Sequence, residues 1–269
     1  MKEGLKELSA TQVAGVRLIV AGAAMLPFLF RYLKKVTARD VFPLLVVAFL
    51  GNGIPYYLFA FAETKMGSAI TGMLNSLVPM FTLIIAVLVF KTKVSKLKVY
   101  GVLIGLVGAF VLLMGAGQDT SGDYLYGALV IVATICYGIS VNTLKSRLSH
   151  FHPLATAAIP LAVTLLPAAL YIPIAEPIDL GNLSQQGMYS LGAVVTLGLV
   201  GTALAMILFN RIIQLSSAVF ASSVTYLIPI VALFWGVIAG ENIHALHFAG
   251  LVIVLAAIYL INKKDKVTA

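Results

Sequence analysis

GSAITGMLNSLVP, residues 67–79, is echoed by SSAVFASSVTYLIP, residues 216–229. Each copy sits in a long apolar run. Each is followed by a polar break and a further apolar run with a matching glycine, Gly101 and Gly250. The breaks differ in charge. KTKVSKLK, residues 91–98, carries Lys91, Lys93, Lys96 and Lys98, whereas GENIHALH, residues 240–247, carries Glu241 and neither Lys nor Arg. Loop charge reports sidedness in a membrane protein. One motif with opposite flanking charge therefore predicts two halves inserted upside down relative to each other, a common plan of secondary transporters.

Composition supports a bilayer as solvent. Of the 269 residues, 61% are apolar and 10% are charged, against about 25% charged in a soluble domain. About 20 apolar residues cross a bilayer as a helix. The apolar runs predict nine spans, near residues 11–30, 42–62, 68–90, 97–116, 124–144, 153–175, 187–209, 216–238 and 245–262. Runs of this length favour helix over buried strand. The expected fold is an all-α membrane protein in two repeats, 1–116 and 124–262.

The net charge of +8 would suit a nucleic-acid partner if it were spread over a surface, but it is segregated by loop. Arg31, Lys34, Lys35, Arg39, Lys91, Lys93, Lys96, Lys98, Lys145, Arg147, Arg211, Lys263, Lys264 and Lys266 share one side, with only Asp40 and Asp265 among the acids. Lys2, Lys6 and Lys65 fall on the other. The positive-inside rule puts the first side in the cytoplasm. A multi-pass protein of the cytoplasmic (plasma) membrane with a cytoplasmic C-terminus follows, with lipid as its surroundings and no nucleic acid as partner. The second half holds five spans and the first only four. An opening helix of repeat one is thus missing, and the reading frame is expected to extend upstream of Met1 by about 20 apolar residues. An odd number of helices per half explains the inversion.

In order and spacing, these residues resemble the EamA-like family of drug/metabolite transporters. The second half supplies Gly201-Thr202-Ala203, Ser217-Ala218, Tyr226-Leu227-Ile228-Pro229, Gly240-Glu241 and Gly250; the first supplies Arg17, Ser68-Ala69, Leu77-Val78-Pro79 and Gly101. The chain departs from the family in lacking the W-G-x-x-x-[AS] opening helix, and in having Lys91-Thr92 where the first-half G-E would stand. The resemblance implies ten helices in two inverted five-helix repeats, and transport of small organic solutes, often efflux of amino acids, metabolites or drugs. It names no solute.

Within the spans, Pro79 and Pro229 occupy matching places. Each either opens a midplane cavity or is a packing kink. Pro160 and Pro167 suggest bending. Asn52, Asn75, Asn142, Thr202 and Tyr226 are deep polar groups that need a partner helix or a wet cavity. Tyr56 and Tyr137 suit stacking on a solute. Together with the two prolines these residues form the expected substrate cavity, although each one singly suits helix–helix hydrogen bonding equally well. Arg17, the one cation well inside a span, either attracts an anionic group or snorkels. Tyr32, Tyr124, Tyr126 and Tyr259 suit interface anchors, and His150, His152, His244 and His247 solvated loops. Gly101, Gly105 and Gly108 form a stripe for close packing within the bundle or in a homodimer.

No catalytic constellation stands out. Ser222-Ser223 has no neighbouring base, and no phosphate-cradling loop or Cys/His metal spacing occurs, Cys136 being the single cysteine. Neither an enzyme nor a bound metal or cofactor is expected. Solute transport by alternating access competes with a structural or receptor-like role, which would be marked by a packed, dry centre.

Overall fold

The computed structural model describes residues 3–66, 68–115, 124–179, 181–228, 231 and 245–262. Pro229, Gly240, Glu241 and His244 lie outside them. Every regular element among the described residues is helical. The bilayer logic of the sequence explains this, because a helix satisfies its own backbone within one segment.

Helix α1 (Ala10–Leu33) starts where Ser9 and Gln12 exchange bonds: Gln12 N donates to Ser9 Oγ at 3.0 Å and Ser9 N to Gln12 Oε1 at 2.9 Å. This reciprocal cap satisfies two otherwise orphaned amides. Helix α2 (Ala38–Ala48) opens in a similar way, with Thr37 N donating to Asp40 Oδ2 at 2.9 Å. It runs through a widened π turn, Phe49–Gly53, into α3 (Ile54–Lys65). The stretch expected as the third span, 68–90, is broken. Helix α4 (Ser68–Asn75) ends at a turn through Ser76 and Leu77, and α5 (Val78–Leu88) starts with Pro79 in its first turn. Proline has no amide to continue the preceding helix, so the break falls where the chain can tolerate it.

Helix α6 (Lys96–Gly115), α7 (Tyr124–Arg147) and α8 (Pro153–Ala175) are unbroken. Pro160, Pro167 and Pro173 all lie inside α8. A second π turn, Leu199–Leu204, joins α9 (Gln185–Gly198) to α10 (Ala205–Leu215). Helix α11 (Ala218–Ser222) tightens to a 3-10 turn at Ser223–Tyr226, just ahead of Pro229. Helix α12 (Ala245–Asn262) completes the described chain.

Among the described residues, five helical stretches are long and apolar enough to cross a membrane: Ala10–Leu33, Ala38–Glu63, Leu125–Arg147, Pro153–Ala175 and Gln185–Leu215. Val78–Leu88 and Phe248–Ile261 are shorter apolar helices. The outer surface is apolar too: Phe42, Leu88, Leu215 and Ile174 are 74%, 72%, 78% and 81% exposed. Side chains of this kind on the outside fit hydrocarbon, not water. The chain is a multi-pass membrane protein.

Two helix pairs dominate the packing, α1 with α8 and α6 with α12. The second uses the glycine stripe inside the chain. A Cβ on Gly101 would sit 2.6 Å from Ile261 Cγ1, one on Gly105 2.5 Å from the Tyr226 ring, and one on Gly108 2.9 Å from the Val254 amide nitrogen. Tyr32 is buried instead of anchoring at an interface. Its ring stacks on His152 at 5.9 Å, within the apolar cluster of Leu44, Leu148, Phe151 and Ile213. His152 in turn accepts from Leu154 N at the start of α8, while His150 stays largely exposed beside Asp40 at 3.3 Å.

Candidate functional site

The two π turns carry the same local chemistry. Asn52 Nδ2 donates to Val47 O at 3.2 Å and Thr202 Oγ1 donates to Leu197 O at 3.1 Å. Both bonds span five residues, and both residues are fully buried. A π turn inserts an extra residue and leaves a carbonyl without its usual amide partner, and such turns recur at functional sites. Here a short polar side chain fills the gap. The sequence places Gly51 before Asn52 and Gly201 before Thr202. A Cβ on Gly51 would clash with Ser140 Oγ, so α7 approaches this turn closely.

Arg17, from α1, bridges the two turns. Its Nε donates to Thr202 Oγ1 at 2.6 Å, and its guanidinium carbon lies 3.8 Å above the centre of the Tyr56 ring. Tyr56 OH donates to Asn52 Oδ1 at 3.2 Å. One continuous polar path thus runs from Leu197 O through Thr202, Arg17, Tyr56 and Asn52 to Val47 O. In a low-dielectric setting each link strengthens its neighbours.

This path backs a cavity of about 450 Å³. Of the residues proposed from the sequence, Arg17, Tyr56, Asn75 and Tyr137 line it. Gly201 of the Gly201-Thr202-Ala203 motif lines it as well, as do Gly51, Ser140, Asn210 and Thr225, which were not singled out from the sequence. Val47, Val78, Leu144, Met206 and Phe209 make most of the remaining wall apolar. Tyr137 also stacks on Phe59 at 6.0 Å. Two amide oxygens at the wall, Asn75 Oδ1 and Asn210 Oδ1, are buried without a hydrogen-bond partner. Asn210 Nδ2 is held by Thr156 Oγ1 at 3.2 Å, so its oxygen is the end left over.

The other expected residues sit elsewhere. Asn52 and Thr202 lie behind the wall. Asn142 Nδ2 donates to Thr82 O at 2.9 Å and Gly138 O at 2.8 Å, fastening α7 to α5. Tyr226 is buried against Gly105, and its OH donates to Val102 O at 2.9 Å. Pro79 is buried in the first turn of α5. Asn210 was legible as a polar residue at the edge of a span, but the adjacent Arg211 makes that stretch read as a loop boundary. Ser140 and Thr225 carry no sequence signal, since small hydroxyls in helices usually bond their own turn, as Thr225 does with Ser222 O at 2.9 Å. Among the described residues no group of three or more His, Cys, Asp or Glu is placed to hold a metal.

The family model for EamA-like transporters matches residues 1–114 and 125–263. The chain belongs to the EamA-like transporter family. Relatives agree along nearly its whole length. An uncharacterized transporter of Archaeoglobus fulgidus is 23% identical over 98% of this chain and 92% of its own length. The uncharacterized transporter YetK of Bacillus subtilis is 27% identical over 94% and 78%. The uncharacterized inner membrane transporter YedA of Escherichia coli K12 is 26% identical over 96% and 83%. A solved crystal structure shares this EamA-like fold with a TM-score of 0.70 at 16% identity, covering 95% of this chain and 88% of the other. The protein is a membrane transporter by family, and the cavity lies within a fold found in a solved structure.

Proposed function

We propose that the protein exports a small organic solute from the cell by alternating access, binding it in the 450 Å³ cavity. The observation that carries this reading is the composition of the wall. A mostly apolar chamber holds one cation, Arg17, and two unpartnered amide oxygens, Asn75 Oδ1 and Asn210 Oδ1. Unpaired polar groups in a buried apolar setting are costly, and a bound polar solute or water relieves that cost. A few fixed polar groups in an apolar chamber are what a small-molecule site needs. The solute classes this suits are amino acids, other small metabolites and amphiphilic drugs.

The two repeats, 1–116 and 124–262, form nine spans in inverted topology, with the C-terminus in the cytoplasm. Support comes from the matched π turns and from the matched glycines ahead of Asn52 and Thr202. The opposite loop charges around the duplicated segment add to it. Rocking of one half against the other would expose the cavity first to one side and then to the other. The cavity itself weighs against a structural or receptor-like role, for which a solid centre suffices.

The test is transport by the full chain reconstituted in liposomes. Vesicles loaded with a mixed panel of amino acids, metabolites and cationic and anionic drugs should lose at least one solute faster than protein-free vesicles. If retention is identical across the panel in both vesicle orientations, the proposal fails.

A further inference from the structure

Asn210, on α10, is fully buried at the wall of the 450 Å³ cavity, which is larger than the 150 Å³ space near the end of α5. Its amide has a fixed orientation. The hydroxyl of Thr156, on α8, carries a single hydrogen, and that hydrogen is committed, because Thr156 Oγ1 donates to Pro153 O at 2.9 Å. Thr156 Oγ1 is left to accept, and Asn210 Nδ2 donates to it at 3.2 Å. Turning the amide over would set two oxygens against each other. Asn210 Oδ1 is therefore the end left over, and among the described residues nothing donates to it. A buried acceptor without a donor is costly, and a donor brought by the solute removes that cost.

The surroundings select the kind of donor. Ile213 lies one turn beyond Asn210 on α10 and packs with Leu144 and Phe209 in one apolar cluster; all three line the cavity. An ammonium brings a full charge and three donors. A single neutral oxygen among hydrocarbon walls leaves most of that unmet. A hydroxyl or a ring N–H brings one donor, which one oxygen satisfies.

The other end of the cavity is cationic. Arg17 is already engaged with Thr202 and with the Tyr56 ring, and only its positive charge is used here. Asn210 follows Thr202 by eight residues. At a helical rise of about 1.5 Å per residue the two ends lie on the order of 12 Å apart. Allowing about 3 Å of contact at each end leaves about 6 Å between the anionic oxygen of a solute and its donor. A benzene ring with a carboxylate on one side and a hydroxyl opposite has this span. The rings of Tyr137 and Phe209 and the thioether of Met206, all at the cavity wall, offer such a ring its packing partners.

We propose, on the basis that this cavity is the solute site, that it takes aryl carboxylates bearing one neutral donor opposite the acid, and that Asn210 selects the donor.

The experiment measures binding of three acids to the purified full chain in neutral detergent by titration calorimetry. They are 4-hydroxybenzoate, benzoate and 4-(aminomethyl)benzoate. In an apolar chamber without an acceptor, burying the hydroxyl is unfavourable and benzoate binds best. With Asn210 Oδ1 as acceptor, 4-hydroxybenzoate should bind about tenfold more tightly than either of the others. In Asn210→Leu the order of 4-hydroxybenzoate and benzoate should reverse. The readout is a ratio within one protein, so a general loss of stability does not imitate it. Benzoate binding as tightly as 4-hydroxybenzoate in the unmodified protein, or a hydroxyl preference that persists in Asn210→Leu, overturns the role of Asn210. Absence of saturable binding by all three acids overturns the aryl-acid class, whereas the export function falls only if the liposome panel shows no flux. Should Asn210→Leu not fold, Asn210→Ala removes the same oxygen without added bulk and should show the same reversal.

Discussion

Arg17 stands with its guanidinium carbon 3.8 Å over the Tyr56 ring and its Nε 2.6 Å from Thr202 Oγ1. It joins a residue of the third helix to the π turn ahead of α10 while facing the larger cavity. A planar cation is required for both contacts at once, because the ring takes its face and the hydroxyl takes its edge.

Substitution at this position should therefore separate charge from geometry. Arg17→Gln is expected to lower transport of an anionic solute by about 10- to 100-fold, the range of a charge-assisted hydrogen bond. Arg17→Lys should recover only part of that loss, since an ammonium does not stack and bond in the same way. Rates for neutral solutes in the same vesicles should change much less. Equal losses for neutral and anionic solutes would assign Arg17 to holding the helices together.

Tyr56→Phe tests the polar path behind the wall. The ring and its contact with Arg17 remain, but Asn52 Oδ1 loses its donor at 3.2 Å while staying buried. An unsatisfied buried amide oxygen costs about 1–3 kcal/mol. A lower Tm in detergent with unchanged far-ultraviolet circular dichroism is the expected result. Asn52→Leu, which removes the amide as well, should be milder when combined with Tyr56→Phe than the sum of the two single changes.

The sequence carried the elements well and the site unevenly, for physical reasons. Long apolar runs and loop charge are properties of whole segments, so α1, α7 and α8 were readable to within a few residues. The break before Pro79 was readable as a kink because proline acts on its own helix. The π turns at Asn52 and Thr202 were not readable as such. Each depends on one side chain reaching a carbonyl five residues back, and the residues themselves look like any deep polar pair. Tyr226 shows the opposite case. It stands beside the duplicated proline, and the sequence places it in the cavity. The ring instead packs against Gly105, and its OH donates to Val102 O, 124 residues away in the chain. Such a pairing belongs to tertiary packing and leaves no mark in either segment alone.

The α6–α12 pair offers the last prediction, one of stability. Gly108→Ala would bring a methyl group to 2.9 Å from the Val254 backbone nitrogen and 2.8 Å from Ile253 Cγ2. A backbone atom cannot swing aside as a flexible side chain can, so the helices must part locally. The expected loss is about 1–3 kcal/mol, typical of overpacking at a tight contact. Gly192→Ala is the matched control. Nothing lies within 4 Å of its new methyl group, and alanine is the better helix former. It should leave Tm unchanged or raise it, by up to about 1 kcal/mol in stability. Thermal unfolding of both variants, followed by tyrosine and tryptophan fluorescence in the same detergent, makes the comparison. A Gly108→Ala protein as stable as the Gly192→Ala protein would mean that α6 and α12 do not approach each other this closely.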